Sequence, residues 1–194
     1  MRRKVCIALL LLICLMLTAC SGEEQPLREA LDFREVLKQH GGCSFRASVT
    51  SEIDGRFYSF SLDAVYRSEG DTSLKVTAPE ELAGIEASMR DRNANIRFEE
   101  TELTFGVPDE TLTSPLYAPL IFGQCWERAY IDSAANADGQ YDAIYCLGYG
   151  DEELILECRF EGGIPASCEL YRKQTMLLSA TLENFHFLTD RDIE

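Results

Sequence analysis

Cysteine is the residue type whose spacing in this sequence most directly suggests a chemistry. Three of the eight cysteines lie among the first twenty residues. The other five are Cys43, Cys125, Cys146, Cys158 and Cys168. In an exported chain, thiols that lie opposite each other on neighbouring strands form disulfides. Because five is an odd number, at least one thiol is left free or pairs with another chain.

A short turn aligns the two cysteines nearest the C-terminus. Residues 162–164, Gly-Gly-Ile, form a three-residue turn that places Cys158 opposite Cys168. Directly opposed residues of antiparallel strands have Cα atoms about 4.5–5.5 Å apart, which is within reach of a disulfide. The sequence therefore predicts a disulfide between Cys158 and Cys168.

The preceding hairpin predicts a second disulfide. If residues 132–139 form its loop, Cys125 lies opposite Cys146, and two aromatic pairs share the other face of the hairpin. This register predicts a disulfide between Cys125 and Cys146 and leaves Cys43 free or intermolecular. Two alternatives stay open. One bridge or none forms if the thiols are simply small buried side chains, and a zinc site is conceivable although no Cys-x-x-Cys pair is present.

The first twenty residues form an export signal. Arg2, Arg3 and Lys4 precede an apolar run over 5–17, which is shorter than the roughly 20 residues of a spanning helix. The run ends in Leu-Thr-Ala-Cys20, which resembles the lipobox of bacterial lipoproteins. The resemblance implies that residues 1–19 are a removed signal peptide and that Cys20 is the lipidation site. Residues 20–25 are then the acylated cysteine and a short tether, and the protein is anchored on the extracytoplasmic side of the cell membrane. An ordinary secretory signal and an uncleaved anchor are the alternatives.

Charge and motifs exclude several functions. Eighteen Lys+Arg against 33 Asp+Glu give a net charge of −15, which is unsuited to nucleic acid. No serine-hydrolase, zinc-protease or phosphate-loop motif occurs in the sequence. His40 at a helix end and His186 on a strand are interpreted as structural. We therefore predict no catalytic residue, no metal site and no cofactor, and we expect a protein that is not an enzyme.

The mature chain reads as one helix followed by strands. Residues 26–39 have the apolar spacing of an amphipathic helix, and alternation of apolar residues with Asp54-Gly55 as a hairpin turn predicts strands up to residue 105. Residues 108–123 interrupt the strands and predict one or two helical turns, because Pro119 lies too far inside for a long helix. Strands are predicted again over 125–131, 141–149, 153–161, 166–173 and 176–188. The sequence thus predicts a single α+β domain over residues 26–190, with about ten antiparallel strands.

Two short motifs carry a resemblance to a known fold. The closing hairpin Phe160-Glu161-Gly162-Gly163-Ile164-Pro165, and the run Val76-Thr77-Ala78-Pro79 to Gly84, resemble segments of the LolA/LolB lipoprotein carriers and the LppX/LprG lipid-binding lipoproteins. The resemblance implies a single curved antiparallel sheet, a half-barrel, with the N-terminal helix and the mid-chain helical segment on its concave face. Clostridial germination lipoproteins of the GerS type are similar in anchor and general form.

The resemblance implies a protein that binds or carries a lipid or a lipoprotein in an apolar half-barrel. The chain 116–122 would be a mobile lid over this ligand. The residues predicted to line the ligand site are Phe45, Val49, Tyr58, Phe60, Leu62, Leu116, Leu120 and Phe122. The alternative is an anchored interaction protein that holds or regulates an envelope or spore-cortex enzyme through its acidic surface and sheet edge.

Overall fold

The computed structural model describes residues 24–53, 55–90, 93–106, 114–137 and 140–189. Cys20, the predicted signal peptide and most of the predicted tether lie outside these residues. Among the described residues, neither α-helix has the length and hydropathy of a membrane span.

The described chain forms two α-helices and eleven β-strands. The elements are α1 (Glu24–Gln39), β1 (Gly42–Ile53), β2 (Arg56–Arg67), β3 (Thr72–Ala78), β4 (Glu86–Arg90), β5 (Asn93–Phe98), β6 (Thr101–Gly106), α2 (Ala118–Arg128), β7 (Tyr130–Ala137), β8 (Gln140–Leu147), β9 (Leu154–Glu161), β10 (Ile164–Arg172) and β11 (Thr175–Phe187). Short 3-10 turns lie at Glu80–Leu82, Pro115–Tyr117 and Gly150–Glu152.

All eleven strands belong to one open antiparallel sheet. Its order is β6-β5-β4-β3-β2-β1-β11-β10-β9-β8-β7, so β6 and β7 are the two edges. The predicted hairpin turn is confirmed, because Ile53 pairs with Arg56 across Asp54-Gly55. The predicted fold class, an α+β half-barrel with both helices on one face, is also confirmed, with eleven strands in place of about ten.

The contacts of α2 show how strongly the sheet curves. This helix contacts β2, β3 and β8, and five strand-to-strand steps separate β2 from β8. At about 4.8 Å per step those strands would lie about 24 Å apart in a flat sheet. A helix is only about 10 Å wide. The sheet therefore wraps around α2, and the helices occupy its concave face.

Aromatic side chains fill the space between the helices and the sheet. Trp126 of α2 is fully buried, and its ring centroid lies 6.0 Å from that of Phe33 on α1 and 5.7 Å from that of Phe45 on β1. Phe122 and Phe185 complete the cluster at 5.9 Å and 6.0 Å from Trp126. Such edge-on and tilted pairs stabilise a core beyond their buried area. The concave face is thus closed by side chains around Trp126.

The mid-chain helix is longer than the sequence predicts. Residues 125–128 belong to α2 and not to a strand, so the predicted strand over 125–131 is wrong. Pro119 stands in the first turn of α2, where a missing backbone N–H removes no helical hydrogen bond. The proline therefore starts the helix that it was expected to limit.

The start of β7 changes the register of the next hairpin. Tyr130 pairs with Cys146, and Ala137 pairs with Gln140, so residues 132–137 lie in the strand and not in a loop. Residues 138 and 139, which connect the two strands, lie outside the described residues. The predicted register between β7 and β8 is therefore wrong by several residues.

Candidate functional site

Most of the predicted ligand-lining residues belong to the packed core. Phe45, Val49, Leu62, Leu120 and Phe122 are all buried. The expected mobile lid is in fact the 3-10 turn Pro115–Tyr117 and the first turns of α2, which pack against the sheet. In this conformation these five side chains belong to one continuous hydrophobic core together with the aromatic cluster.

Three of the predicted lining residues remain accessible to solvent. Tyr58 is 40% exposed, and Phe60 and Leu116 are half-buried. Tyr58 and Phe60 lie on the helix side of β2, because they pair with the core positions Ser51 and Val49 of β1. The 3-10 turn that carries Leu116 contacts both β1 and β2. We call Tyr58, Phe60 and Leu116 the mouth of the half-barrel.

Two buried hydroxyl groups neighbour residues of the mouth, because Ser51 on β1 pairs with Tyr58 and Tyr117 follows Leu116 in the 3-10 turn. Ser51 Oγ and Tyr117 Oη are shielded from solvent and have no hydrogen-bond partner among the described residues. Burial raises the pKa of Tyr117, so its phenol is a neutral donor. A buried polar group without a partner costs free energy and is commonly satisfied by water or a ligand. Sequence reasoning missed both residues, although Ser51 is a polar residue in an otherwise apolar alternation.

The predicted alignment of Cys158 with Cys168 is confirmed. The two residues pair directly between β9 and β10, and their Sγ atoms lie 3.1 Å apart. Both thiols are buried, and burial together with the neighbouring Cys158 raises the pKa of Cys168. The disulfide between them stays a prediction.

The predicted alignment of Cys125 with Cys146 is wrong. Cys125 lies on α2 and is buried against the concave face of the sheet. Cys146 follows Tyr145, whose side chain is fully buried on the helix side, so Cys146 points to the outer face of β8. The two thiols therefore lie on opposite sides of β8. Cys43, predicted to be unpaired within the chain, is buried in β1.

A ladder of alternating charges crosses the outer face of the sheet. Directly opposed residues on seven consecutive strands are Glu183, Arg46, Asp63, Lys75, Glu86, Arg97 and Glu102. Arg46 Nε lies 2.8 Å from Asp63 Oδ1, Lys75 Nζ lies 3.4 Å from Glu86 Oε1, and Arg97 pairs with Glu86. We call this row the charge ladder. No segment of the sequence predicts the charge ladder, because it emerges only when the registers of six strand pairs are combined.

All residues of the charge ladder except Glu183 line a groove of 710 Å³ on the outer face. Hydrogen bonds from Arg97 and its charge lower the pKa of Glu86, and Asp63 raises the pKa of Arg46 in the same way. Each residue at the centre of the charge ladder therefore faces an opposite charge on both neighbouring strands. The described residues contain no cluster of metal-ligating side chains.

The fold is similar to those of several solved structures. A LolA superfamily protein from Nitrosomonas europaea is 10% identical, and the match covers 88% of this chain and 95% of that chain with a TM-score of 0.47. The lipoprotein LppX from Mycobacterium tuberculosis is 12% identical over 86% of this chain and 96% of that one, with a TM-score of 0.40.

A third similar structure is that of the CwlD amidase from Clostridioides difficile in complex with the GerS lipoprotein. A chain of this complex is 12% identical over 88% of this chain and 95% of that one, with a TM-score of 0.34. No protein-family model and no curated protein matches the sequence. The predicted resemblance to LolA-type and LppX-type proteins is confirmed as a likeness of fold alone, and the GerS type stays a prediction.

Proposed function

We propose that the protein is a non-enzymatic, lipid-anchored protein of the extracytoplasmic membrane surface that binds an acyl chain of a lipid or lipoprotein at the mouth. The observation that carries this proposal is the mouth itself. Tyr58, Phe60 and Leu116 stay accessible. The buried hydroxyl of Ser51, which pairs with Tyr58, and that of Tyr117, which follows Leu116, have no hydrogen-bond partner among the described residues. Apolar walls with a few polar groups are the usual composition of a small-molecule site.

The mouth suits an amphiphilic ligand. Each methylene that the three apolar side chains remove from water contributes about 0.8 kcal/mol. An ester or amide oxygen next to the acyl chain would accept a hydrogen bond from Tyr117 or Ser51, and the buried donors would then no longer be unsatisfied. The site would therefore recognise the junction between an acyl chain and its polar head.

A long acyl chain needs more room than the mouth offers. Beyond the mouth the concave face is filled by Leu120, Phe122 and Trp126 of α2. Binding a whole chain therefore requires α2 to move away from β2 and β3. Side-chain packing and the hydrogen bond from Tyr66 on β2 to Glu127 on α2 join this helix to the sheet. The displacement would break these side-chain contacts and leave the strands paired.

The N-terminal cysteine would supply the membrane anchor. Acylation of Cys20 provides the hydrophobic attachment that an acidic domain cannot obtain from anionic lipids. Because α1 begins at Glu24, two residues earlier than the sequence predicts, the tether shortens to residues 21–23 and would span at most roughly 11 Å. The mouth would therefore stay close to the bilayer from which its ligand is drawn.

Lipid extraction tests the proposal. The chain from Ser21 onward is purified from bacteria without detergent, extracted with organic solvent and examined by mass spectrometry. We expect a copurifying acyl lipid in the wild type and several-fold less in Tyr58→Ser. Phe57→Ser is the matched control, because Phe57 is the neighbouring aromatic residue on the outer face of the same strand and is 73% exposed. Absence of lipid from the wild type, or an equal loss in both variants, contradicts the proposal.

A further inference from the structure

The two edges of the sheet differ in how they are protected. At one edge, β7 contacts α1 and carries a register shift between Ile131 and Ser133. Helical cover and bulges are the devices by which proteins keep an edge from pairing with other chains. This edge is therefore closed to an added strand.

The other edge, β6, lacks these devices. Its sequence, Thr-Glu-Leu-Thr-Phe-Gly, contains no lysine or proline, and its pairing with β5 runs over six residues without a register shift. The residues 101–104 are all exposed. Among the described residues, no strand and no helix is packed against the far side of β6. Its outward backbone groups form a template for a further strand.

The charge ladder indicates which charge an added strand would need on the outer face of the sheet. The sign of the charge alternates at every step from Glu183 to Glu102, and Glu102 stands at the open edge. Within the ladder Glu102 has a cation, Arg97, on only one side, whereas Glu86 lies between Lys75 and Arg97. Opposite charges that face each other across strands are favourable and like charges are unfavourable. The ladder would therefore continue with a lysine or arginine opposite Glu102.

The helix-side face of β6 favours apolar residues on either side of this cation in the added strand. Leu103 pairs with Ile96, which packs against the core, so Leu103 lies on the concave side, yet it is 61% exposed. Successive residues of a strand point to opposite faces. An added strand with a cation opposite Glu102 therefore places its next residues on the concave face, beside Leu103. Apolar side chains at these positions would cover Leu103.

Charge complementarity also distinguishes between a foreign segment and a second copy of the chain. The turn between β5 and β6 adds the exposed Glu99 and Glu100 to Glu102, so the edge attracts cations. A second copy of β6 brings no cation to this edge, since Glu102 is its only charged residue. A basic, extended segment of another protein can place a cation opposite Glu102, whereas a second copy of β6 cannot.

We propose that β6 is a docking edge for an extended segment of a partner protein with an apolar–Lys/Arg–apolar pattern, which adds a twelfth strand and places its cation opposite Glu102. The partner binds through backbone hydrogen bonds, and the single ion pair at Glu102 sets the register of the added strand. This surface is separate from the mouth, and its use does not depend on lipid binding.

A pair of designed peptides tests the docking edge. The full chain, purified in dodecyl maltoside, is titrated with the peptide Ser-Thr-Val-Lys-Val-Thr-Ser and with the same peptide carrying Glu in place of Lys. We expect the Lys peptide to bind about tenfold more tightly than the Glu peptide. Hydrogen exchange should slow at the amides of 101–106 and not at those of β7.

Charge reversal supplies the decisive control. In Glu102→Lys the preference between the two peptides should reverse, whereas Glu161→Lys, which changes the same charge on a strand remote from β6, should leave it unchanged. Equal binding of the two peptides, or binding without protection of β6, overturns the proposal. Dimerisation that protects β6 without any peptide would overturn it in favour of a second copy. Tyr58→Ser should bind the Lys peptide normally and Glu102→Lys should retain its lipid, so that the two proposals fail independently.

Discussion

Gly123 of α2 lies directly against the aromatic ring of Tyr66 on β2, so close that a side-chain methyl group at position 123 would overlap ring atoms Cγ, Cδ2 and Cε2. Both residues are buried. A glycine inside a helix usually costs about 1 kcal/mol relative to alanine. A glycine is needed at position 123 because only a residue without a side chain lets α2 approach β2 so closely.

Gly123→Ala should therefore destabilise the protein, in spite of the better helix propensity of alanine. We expect a loss of about 1–3 kcal/mol in the free energy of unfolding, the usual cost of overpacking a core. Urea denaturation measures it, with Gln124→Ala as the control on the same helix. The double variant Tyr66→Leu/Gly123→Ala should show a favourable coupling energy, because the smaller side chain makes room for the methyl group. An unchanged or increased stability of Gly123→Ala would show that the helix shifts freely.

Arg34 joins the two helices. Its Nε donates to the carbonyl oxygen of Trp126 at 2.8 Å and its Nη2 donates to that of Ala129 at 2.6 Å, at the C-terminal end of α2. Because a cation there also complements the helix dipole, Arg34→Ala should lower the free energy of unfolding by about 2–3 kcal/mol. Arg28→Ala, at an exposed position of the same helix, should change it by less than about 0.5 kcal/mol. Equal effects of the two substitutions would refute the role of Arg34.

The opposed thiols of Cys158 and Cys168 are expected to form a disulfide when the protein is exported. Non-reducing peptide mapping should link these two residues and leave Cys125 and Cys146 unlinked to each other. Such a short loop would stabilise the fold by roughly 2–3 kcal/mol in the chain-entropy model. Cys158→Ser and Cys168→Ser should lower the stability of the oxidised protein equally. A peptide that links Cys125 to Cys146 would contradict the placement of these residues on opposite sides of β8.

Alkaline pH should weaken the fold of the reduced protein. Burial raises the pKa of Cys43, Cys125 and Tyr66 above their ordinary values of 9.0, 9.0 and 10.0, and the hydrogen bond with Glu127 adds to the rise for Tyr66. The folded state therefore holds these protons while the unfolded state releases them. Stability is then complete below about pH 9 and falls as the pH rises further. Urea denaturation in reductant at pH 8 and at pH 10.5 should show this fall, and Cys43→Ala should reduce it. A stability that is constant over this range would contradict the burial of these groups.

Cys20 is expected to be the acylated N-terminus. Cys20→Ser should abolish metabolic labelling with fatty acid and leave the precursor unprocessed, because acylation precedes cleavage in lipoproteins of this type. Replacement of Ser21 by alanine should leave both steps intact. Normal labelling of the Cys20→Ser protein would refute the anchor.

Local patterns were sufficient for much of the fold. The helix over 26–39 follows from an apolar spacing that includes Ala30 and Leu37, both of which are buried. The Asp54-Gly55 signal correctly predicts that β1 and β2 pair as a hairpin. Cys158 and Cys168 are also aligned as predicted, but the predicted three-residue turn is wrong. Ile164 pairs with Glu161, and a register shift between Pro165 and Ser167 restores the expected alignment. In each case the residues that decide the structure lie within about ten positions of each other in sequence. The periodicity of the helix or strand is then enough to predict the element.

The sequence misled where a local signal had two physical interpretations. Pro119 limits a helix if it lies in the interior and begins one if it lies in the first turn, and only the packing of Leu120, Phe122 and Trp126 against the curved sheet decides between them. Because Pro119 begins α2, Cys125 lies in this helix and not in the predicted strand, and it is therefore not opposite Cys146. Because α2 packs on the sheet, most of the residues predicted to line a ligand cavity are buried in the hydrophobic core.

Tertiary structure alone decided the two surfaces on which function is proposed. The mouth exists because α2 covers β2 and β3 only in part, and the charge ladder exists because six registers bring charges from positions 46 to 183 into one row. No window of the sequence contains either feature. Strand pairing acts between residues far apart in the chain, so the chemistry of a sheet face is determined only when every register along it is fixed.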